Sequence, residues 1–166
     1  MVQKIGRLPA ELKPENVTAI IDTREQRGLD LAPLKTEAGT LDTGDYSLKG
    51  LEHVVRVERK SLDDLLGVVG RDRERFEREV ARLLAYPVRV LVIEASWSDL
   101  ESGLWQRSKM TPQAVIGSLL AWQAEGLSVH CVGDHKRAGT HVARLLYQVA
   151  KRRYRELRSL MQEVER

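Results

Sequence analysis

Three short apolar runs, separated by segments of helical periodicity, constrain this chain most. They are VTAIIDT at 17–23, VRVLVIE at 88–94 and LSVHCV at 127–132. Runs of this length, rich in β-branched residues, read as strands buried in a sheet. Between the second and third lies a helix announced by Thr111 as N-cap and Pro112 at the first helical position. It runs to about Glu125, with Val115, Ile116, Leu119 and Leu120 turned inward, and Gly126 ends it. Before the second run, Phe76, Val80, Leu83 and Leu84 form one apolar stripe of a helix over 72–86, stopped by Pro87. Opposite charges four apart (Arg73–Glu77, Glu74–Arg78, Arg75–Glu79) support it weakly. A last helix over 137–158 presents Val142, Leu145, Leu146 and Val149 on one face.

The segments GDYSLK at 44–49 and HVVRVERK at 53–60 flank Gly50-Leu51-Glu52, a hairpin signal. A short helix over 61–67 follows, with Ser61 as N-cap and Gly67 near its end. Residues 24–40 read as a short helix with loops, and residues 1–16 as an irregular lead-in. Strands alternating with helices imply an α/β fold, and the early hairpin makes its central sheet mixed and flanked by helices. A chain of 166 residues suits one domain over 1–166 with its core at about 17–157.

Hydrophobic residues at 42% and charged ones at 31% fit a globular chain and argue against disorder. Cys131 is the single cysteine, so no internal disulfide forms, as suits a reducing compartment. The first residues lack the apolar core of a signal peptide, and no apolar run is long enough to span a membrane. A cytoplasmic protein without a small-molecule cofactor is the expectation. With 27 Lys and Arg against 24 Asp and Glu, the chain is mildly basic and compatible with a polyanion.

The hairpin carries the chemistry. With its turn centred near residue 51, opposed positions sum to about 103, and Asp45 faces Glu58. Alternation puts Arg56, Glu58 and Lys60 on one face and Val55, Val57 and Arg59 on the other. Opposed carboxylates repel, which a hard divalent cation between them relieves, since carboxylates and water are the ligands of Mg²⁺. Lys60 points at the same spot, and Asp22, at the end of the first strand, adds a third metal ligand to Asp45 and Glu58. Such a set suits phosphodiester hydrolysis. Arg24 is placed to clamp the phosphate, and Arg59 to anchor a neighbouring loop or helix by ion pairing. By spacing alone, Glu58 to Lys60 equally suit a solvated charge run on an edge strand.

These residues also resemble a family. VERKSLDDL at 57–65 resembles the Glu-Arg-Lys-x-x-x-Asp signature of XPF-type structure-specific endonucleases, with Glu58, Arg59, Lys60 and Asp64 at the signature positions. IIDTRE at 20–25 resembles its Asp-x-Arg-Glu segment, and GDY at 44–46 its Gly-Asp step. The Arg-rich helix, VLVIEA at 90–95 and AVIGSLLAW at 114–122 follow in order, so the likeness covers roughly 17–150. It implies a restriction-endonuclease-like fold, a variant of PD-(D/E)XK, with catalytic Asp22, Arg24, Asp45, Glu58, Arg59, Lys60 and Asp64. It further implies Mg²⁺, with Mn²⁺ as a substitute, DNA as partner, and cleavage of flaps, forks or junctions. Members pair through the nuclease domain, which here points to a homodimer through the helices at 111–125 and 137–158.

Many relatives add helix-hairpin-helix modules for which this sequence has no room, so it resembles stand-alone nuclease modules of bacteria and phages. A single-strand-specific or nicking nuclease and a catalytically silent DNA-binding scaffold are the alternatives; the presence of Asp22, Asp45, Glu58 and Lys60 argues against the scaffold.

Asp64 either supports Arg59 or Lys60 or caps a helix. The arginines of 71–82 are nearly cancelled by four acids, and Arg73 is the exception offered to DNA. Lys151, Arg152, Arg153 and Arg155 form a better phosphate-contact cluster. His130, Cys131, His135 and His141 match no zinc spacing. Trp122 belongs to the core; Trp97 and Trp105 stay open between core and base stacking.

Overall fold

β-Branched residues form the strands where their runs predict, at β1 (Thr18–Asp22) and β5 (Val88–Glu94). The hairpin supplies β3 (Tyr46–Leu48) and β4 (Val55–Ser61). The computed structural model describes residues 8–164, so residues 1–7 of the expected lead-in lie outside the described residues. The rest of the lead-in is irregular up to a 3₁₀ turn at Pro14–Asn16. With β2 (Lys35–Gly39) and β6 (Ser128–Cys131) the strands build one sheet in the order β2-β1-β3-β4-β5-β6. The β1–β2, β4–β5 and β5–β6 pairs are parallel, whereas β3 runs antiparallel to both β1 and β4. The sheet is mixed, as expected.

Two expectations are corrected here. Residues 24–40 hold no helix; KTEAG forms the edge strand β2, with its side chains exposed. No apolar alternation marks it, because its strand state comes from main-chain pairing with β1, in register from Thr18↔Lys35 to Asp22↔Gly39. Charged residues on an outer strand also discourage further pairing. The run at 127–132 is likewise an edge strand and only half-buried.

The helices are α1 (Leu62–Val69), α2 (Arg73–Leu83), α3 (Trp97–Ser102), α4 (Pro112–Ala124) and α5 (His135–Val164). Strand alternation sends Val55, Val57, Val90 and Val92 to one face, where Val142, Leu146 and Val149 of α5 cover them. Leu91 and Ile93 point to the other face, against Leu65 of α1, Phe76 and Val80 of α2, and Leu119 and Trp122 of α4. Phe76 meets Trp122 edge to face with centroids 4.8 Å apart. Burying each such side chain contributes roughly 1.5–3 kcal/mol.

The buried stripe of α4 is Val115, Ser118, Leu119 and Trp122. Ile116 is half-buried, and Leu120, about 100° around the helix from Leu119, is 51% exposed rather than inward. Trp105 packs against the α1–α2–α4 core and donates to Met110 O at 2.9 Å. Trp97 opens α3 and stays partly exposed. The last helix is longer than expected, reaching from His135 to Val164. Among the described residues no helix is long and apolar enough to cross a membrane.

Candidate active site

The register of the hairpin decides the site. Tyr46 pairs with Val57, the sum of 103 expected, and Ile21 pairs with Tyr46 across β1 and β3. One residue further along, Asp22, Asp45 and Glu58 lie level on three adjacent strands. The Asp22 N–H donates to Asp45 O at 2.8 Å, and the Asp45 N–H to Val57 O at 2.8 Å. Gly44 makes this possible: it has φ +77, and a Cβ there would meet Val57 O at 3.3 Å. Beyond Asp45 the ladder stops, and the Asp45 carboxylate takes the Arg59 N–H at 2.8 Å in place of a main-chain carbonyl.

Glu58 is 3% exposed. Burial, and then repulsion from Asp45, push its carboxyl up to about 8, against the pull of Lys60. Burial also drives Asp45 up to about 6, partly offset by the Arg59 N–H and Lys60. Lys60 Nζ lies against Glu58 Oε1 and 5.1 Å from the centroid of the Phe76 ring. Its burial disfavours charge, but attraction to Glu58 outweighs that, with help from Asp45 and Glu79, and raises its pKa. Lys60 is therefore an ammonium at neutral pH.

Asp22 is more self-contained than the sequence suggests. Its Oδ1 accepts from the Arg24 N–H at 2.9 Å and from Arg24 Nε at 2.7 Å. Its Oδ2 accepts from the Leu41 N–H at 2.7 Å and from Arg24 Nη2 at 3.2 Å. Burial raises its pKa, but these bonds win and lower it to about 2. All its lone-pair directions are thus occupied, and among the described residues no three Asp, Glu, His or Cys side chains close into a metal cage. Arg24 Nη2 also donates to Leu41 O at 2.6 Å, while Nη1 makes no bond among the described residues. That leaves Nη1 free to meet a phosphate from a side chain that is 67% exposed.

Arg59 lies on the opposite face, as alternation requires, and anchors by ion pairing. Its Nε and Nη2 donate to Glu25 at 3.0 and 2.8 Å, and its Nη1 to Glu94 Oε1 at 2.8 Å. Tyr46 Oη adds a bond to Glu25 at 3.1 Å, and His135 Nδ1 one to Glu94 at 2.6 Å. This network ties the loop after β1, the end of β5 and the start of α5 beneath the site. Arg56, next to Glu58 on its own face, is 6% exposed. It donates to Asp42 at 2.9 Å and stacks on Tyr86, holding the loop that delivers Asp45.

Several expected residues play other parts. Asp64 is exposed and does not support Arg59 or Lys60; it accepts from Ser61 Oγ at 2.7 Å while its own N–H caps back onto that oxygen. Arg73 is tied to Ser118 and Glu77, both at 2.8 Å, and so joins α2 to α4. Lys151, Arg152, Arg153 and Arg155 lie outside the site. Arg153 lines a cavity with Thr18 and Leu48, at the end of the sheet opposite Asp22. Lys151 lies sixteen positions beyond His135 along α5, about 24 Å. His130 Nδ1 and His141 Nε2 are hydrogen-bonded to each other at 2.7 Å.

Sequence reasoning missed Glu79. It follows Phe76 by three residues on α2 and acts electrostatically on Arg24, Asp45, Glu58 and Lys60. The only signal for it was its place on the helix, which brought it into a surface ion pair instead.

Comparison with known proteins now fixes the family. A model of the ERCC4 domain matches residues 21–145. The chain belongs to the ERCC4-domain family. A search of curated proteins gives no significant match. Among solved structures it is similar to XPF from Aeropyrum pernix, with TM-score 0.65 and 19% identity over 89% of this chain and 71% of that one. A second structure, of the same protein in complex with DNA, gives TM-score 0.65 and 19% identity over 82% of this chain and 66% of that one. The six-stranded mixed sheet flanked by helices matches the XPF nuclease domain and is restriction-endonuclease-like.

Proposed function

We propose that this ERCC4-domain protein is a metal-dependent endodeoxyribonuclease that hydrolyses phosphodiester bonds in branched DNA. Family membership and likeness to XPF support a nuclease acting on DNA. The observation that carries the reading is the pair of buried carboxylates, Asp45 and Glu58, which share one cation, Lys60, at the end of the sheet.

The donor set fits a hard divalent ion. Two acids raised by burial, Glu58 also by repulsion from Asp45, are short of positive charge, and one or two carboxylates plus water satisfy Mg²⁺. Asp45 and Glu58 would hold Mg²⁺ or Mn²⁺, and Asp22 would join only by exchanging a bond from Arg24. When bound, the ion polarises a phosphoryl oxygen and lowers the pKa of a water. The chain's own residues do the rest. Lys60, already charged, steadies negative charge building on the phosphate, a contribution worth about 10²-fold in rate. Arg24 Nη1 orients the scissile phosphate. Arg59 keeps its N–H on Asp45 and so fixes that carboxylate's direction.

Two copies pair through α4 and α5, a reading supported by Leu120, Leu157, Leu160 and Val164, which those helices expose. The test of activity is cleavage of a labelled panel of single-stranded, duplex, flap, fork and four-way-junction DNA in Mg²⁺. Wild type is expected to cut a branched substrate, and Glu58→Ala to lose the activity. Cleavage of single strands or nicking of duplex would select the simpler nuclease. Binding without cleavage in Mg²⁺ or Mn²⁺ would leave a scaffold.

A further inference from the structure

The site's own arginines are largely spoken for, so a DNA strand needs other cations beside it. Asp22 occupies three donors of Arg24, Arg59 is buried between two glutamates, and Arg73 is tied to Ser118 and Glu77. Neutralising phosphates requires cations that are largely exposed and keep donors to spare.

Such cations meet at one place. A cavity of about 320 Å³ opens between α1 and the loop after α3, lined by Asp63, Leu66, Gly67, Arg71, Arg107 and Met110 among others. Asp63 is the one acid in that lining. Arg71 is 86% exposed and bonds only its neighbour Asp72. Arg107 and Lys109, two residues on, are exposed and make no hydrogen bond or ion pair among the described residues.

The loop that presents them is firmly based. Gly103 ends α3 in the left-handed conformation, Trp105 Nε1 donates to Met110 O, and Met110 Sδ packs within 3.3 Å of where a Cβ on Gly70 would stand. Asp63 follows Lys60 by three residues, at most about 10 Å of chain. Arg71 stands eight residues beyond Asp63, just past the end of α1, about 12 Å further; with a phosphate about every 3.4 Å of axis, a strand covers the way from Lys60 to Arg71 in roughly six phosphates.

We propose that Arg71, Arg107 and Lys109 form a phosphate-binding track for the DNA strand leaving the Asp45–Glu58–Lys60 site, a claim that rests on the nuclease reading above. The track binds backbone and does not read bases, and it acts on affinity, not on the chemical step.

The test is binding of a fluorescein-labelled flap DNA by anisotropy, in EDTA to prevent cleavage, across a salt series. It is paired with single-turnover cleavage at saturating DNA in Mg²⁺. The Arg71→Ala/Arg107→Ala/Lys109→Ala variant is expected to bind about tenfold or more weaker. Its slope of log K against log salt should be shallower by about two to three, with the saturated cleavage rate within threefold of wild type. The Arg71→Lys/Arg107→Lys variant should keep the slope, and thermal melting checks that each variant is folded. If wild type binds and cuts while the triple variant keeps its affinity and slope, the track is overturned and the nuclease reading stands. The track is equally overturned if Lys151→Ala/Arg152→Ala costs as much affinity as the track variant. If wild type neither binds nor cuts any DNA, the nuclease reading falls and the track falls with it.

Discussion

Glu58 is held in a place that a carboxylate resists. Its burial and the neighbouring Asp45 keep it protonated to higher pH than in the unfolded chain, up to about 8, and burial does the same for Asp45, up to about 6. Through these two groups the folded state binds more protons than the unfolded one between pH 4 and 8, and their contribution to stability declines as pH rises. Glu58→Gln removes the larger of these penalties while Asp45 remains beside Lys60. In EDTA at pH 8 the variant is expected to be more stable by ~1–3 kcal/mol, and at pH 4 equal to wild type, as read from urea melts at both values. A variant less stable than wild type at pH 8 would mean that Glu58 rests comfortably in the fold. Asp22 acts with the opposite sign: its lowered pKa adds stability above the ordinary carboxylate range, which is lost as pH falls toward 2. The opposition of Asp45 and Glu58 was legible in the sequence, because the two-residue period of a hairpin leaves one register once the turn is placed. The saturation of Asp22 by Arg24 and Leu41 was not, since it depends on how a loop 19 residues away folds back. Glu79 was hidden for a similar reason: which side of α2 faces the site is settled by helix-on-sheet docking, and its charge spacing suggested a surface pair.

β4 works as a two-sided element. Its upper face offers Arg56, Glu58 and Lys60, and its lower face Val55, Val57 and Arg59. That division follows from alternation alone and was expected. The partners of Arg59 were not, for Glu25 and Glu94 lie 34 and 35 residues away in the chain. Both glutamates are nearly buried, with side chains 6% and 7% exposed, as is Arg59 at 10%. Removing the cation strands two acids in the interior, so Arg59→Ala is expected to destabilise by about 3–5 kcal/mol. Arg59→Lys should recover only part of that, because one ammonium cannot fork to two carboxylates. Guanidinium chloride unfolding measures both; a loss below about 1 kcal/mol for Arg59→Ala would show the network to be solvent-screened. Elements with strong internal patterns, such as β1, β5, α2 and the start of α4, were legible because the core they enter imposes the pattern. β2 lacked one, since an exposed edge strand is specified by its neighbour's main chain and not by its own side chains.

The two ends of the molecule differ in character. Asp22, Asp45, Glu58 and Lys60 gather at one end of the sheet, where α5 begins, and the basic run of 151–155 lies toward the other. Sequence order could not reveal this, because a helix crossing the whole sheet carries its charges away from the residues it starts beside. At 30 residues α5 is about 45 Å long, whereas the seven residues of β4 span about 23 Å. Its buried residues end at Ala150, so its last turns project beyond the sheet. There Leu157 and Leu160 are 46% and 62% exposed. An apolar stripe on a projecting helix is stabilised when a second helix covers it, and the proposed pairing of two copies provides one. Sedimentation at about 100 µM is then expected to give about twice the 18.8 kDa of one chain. Leu157→Glu/Leu160→Glu should give a folded monomer whose melting temperature no longer depends on protein concentration, since neither side chain belongs to the sheet's core. A monomeric wild type would remove the dimer and assign the exposed leucines to something other than self-association. A dimer that survives the double substitution would move the interface to Leu120 and α4.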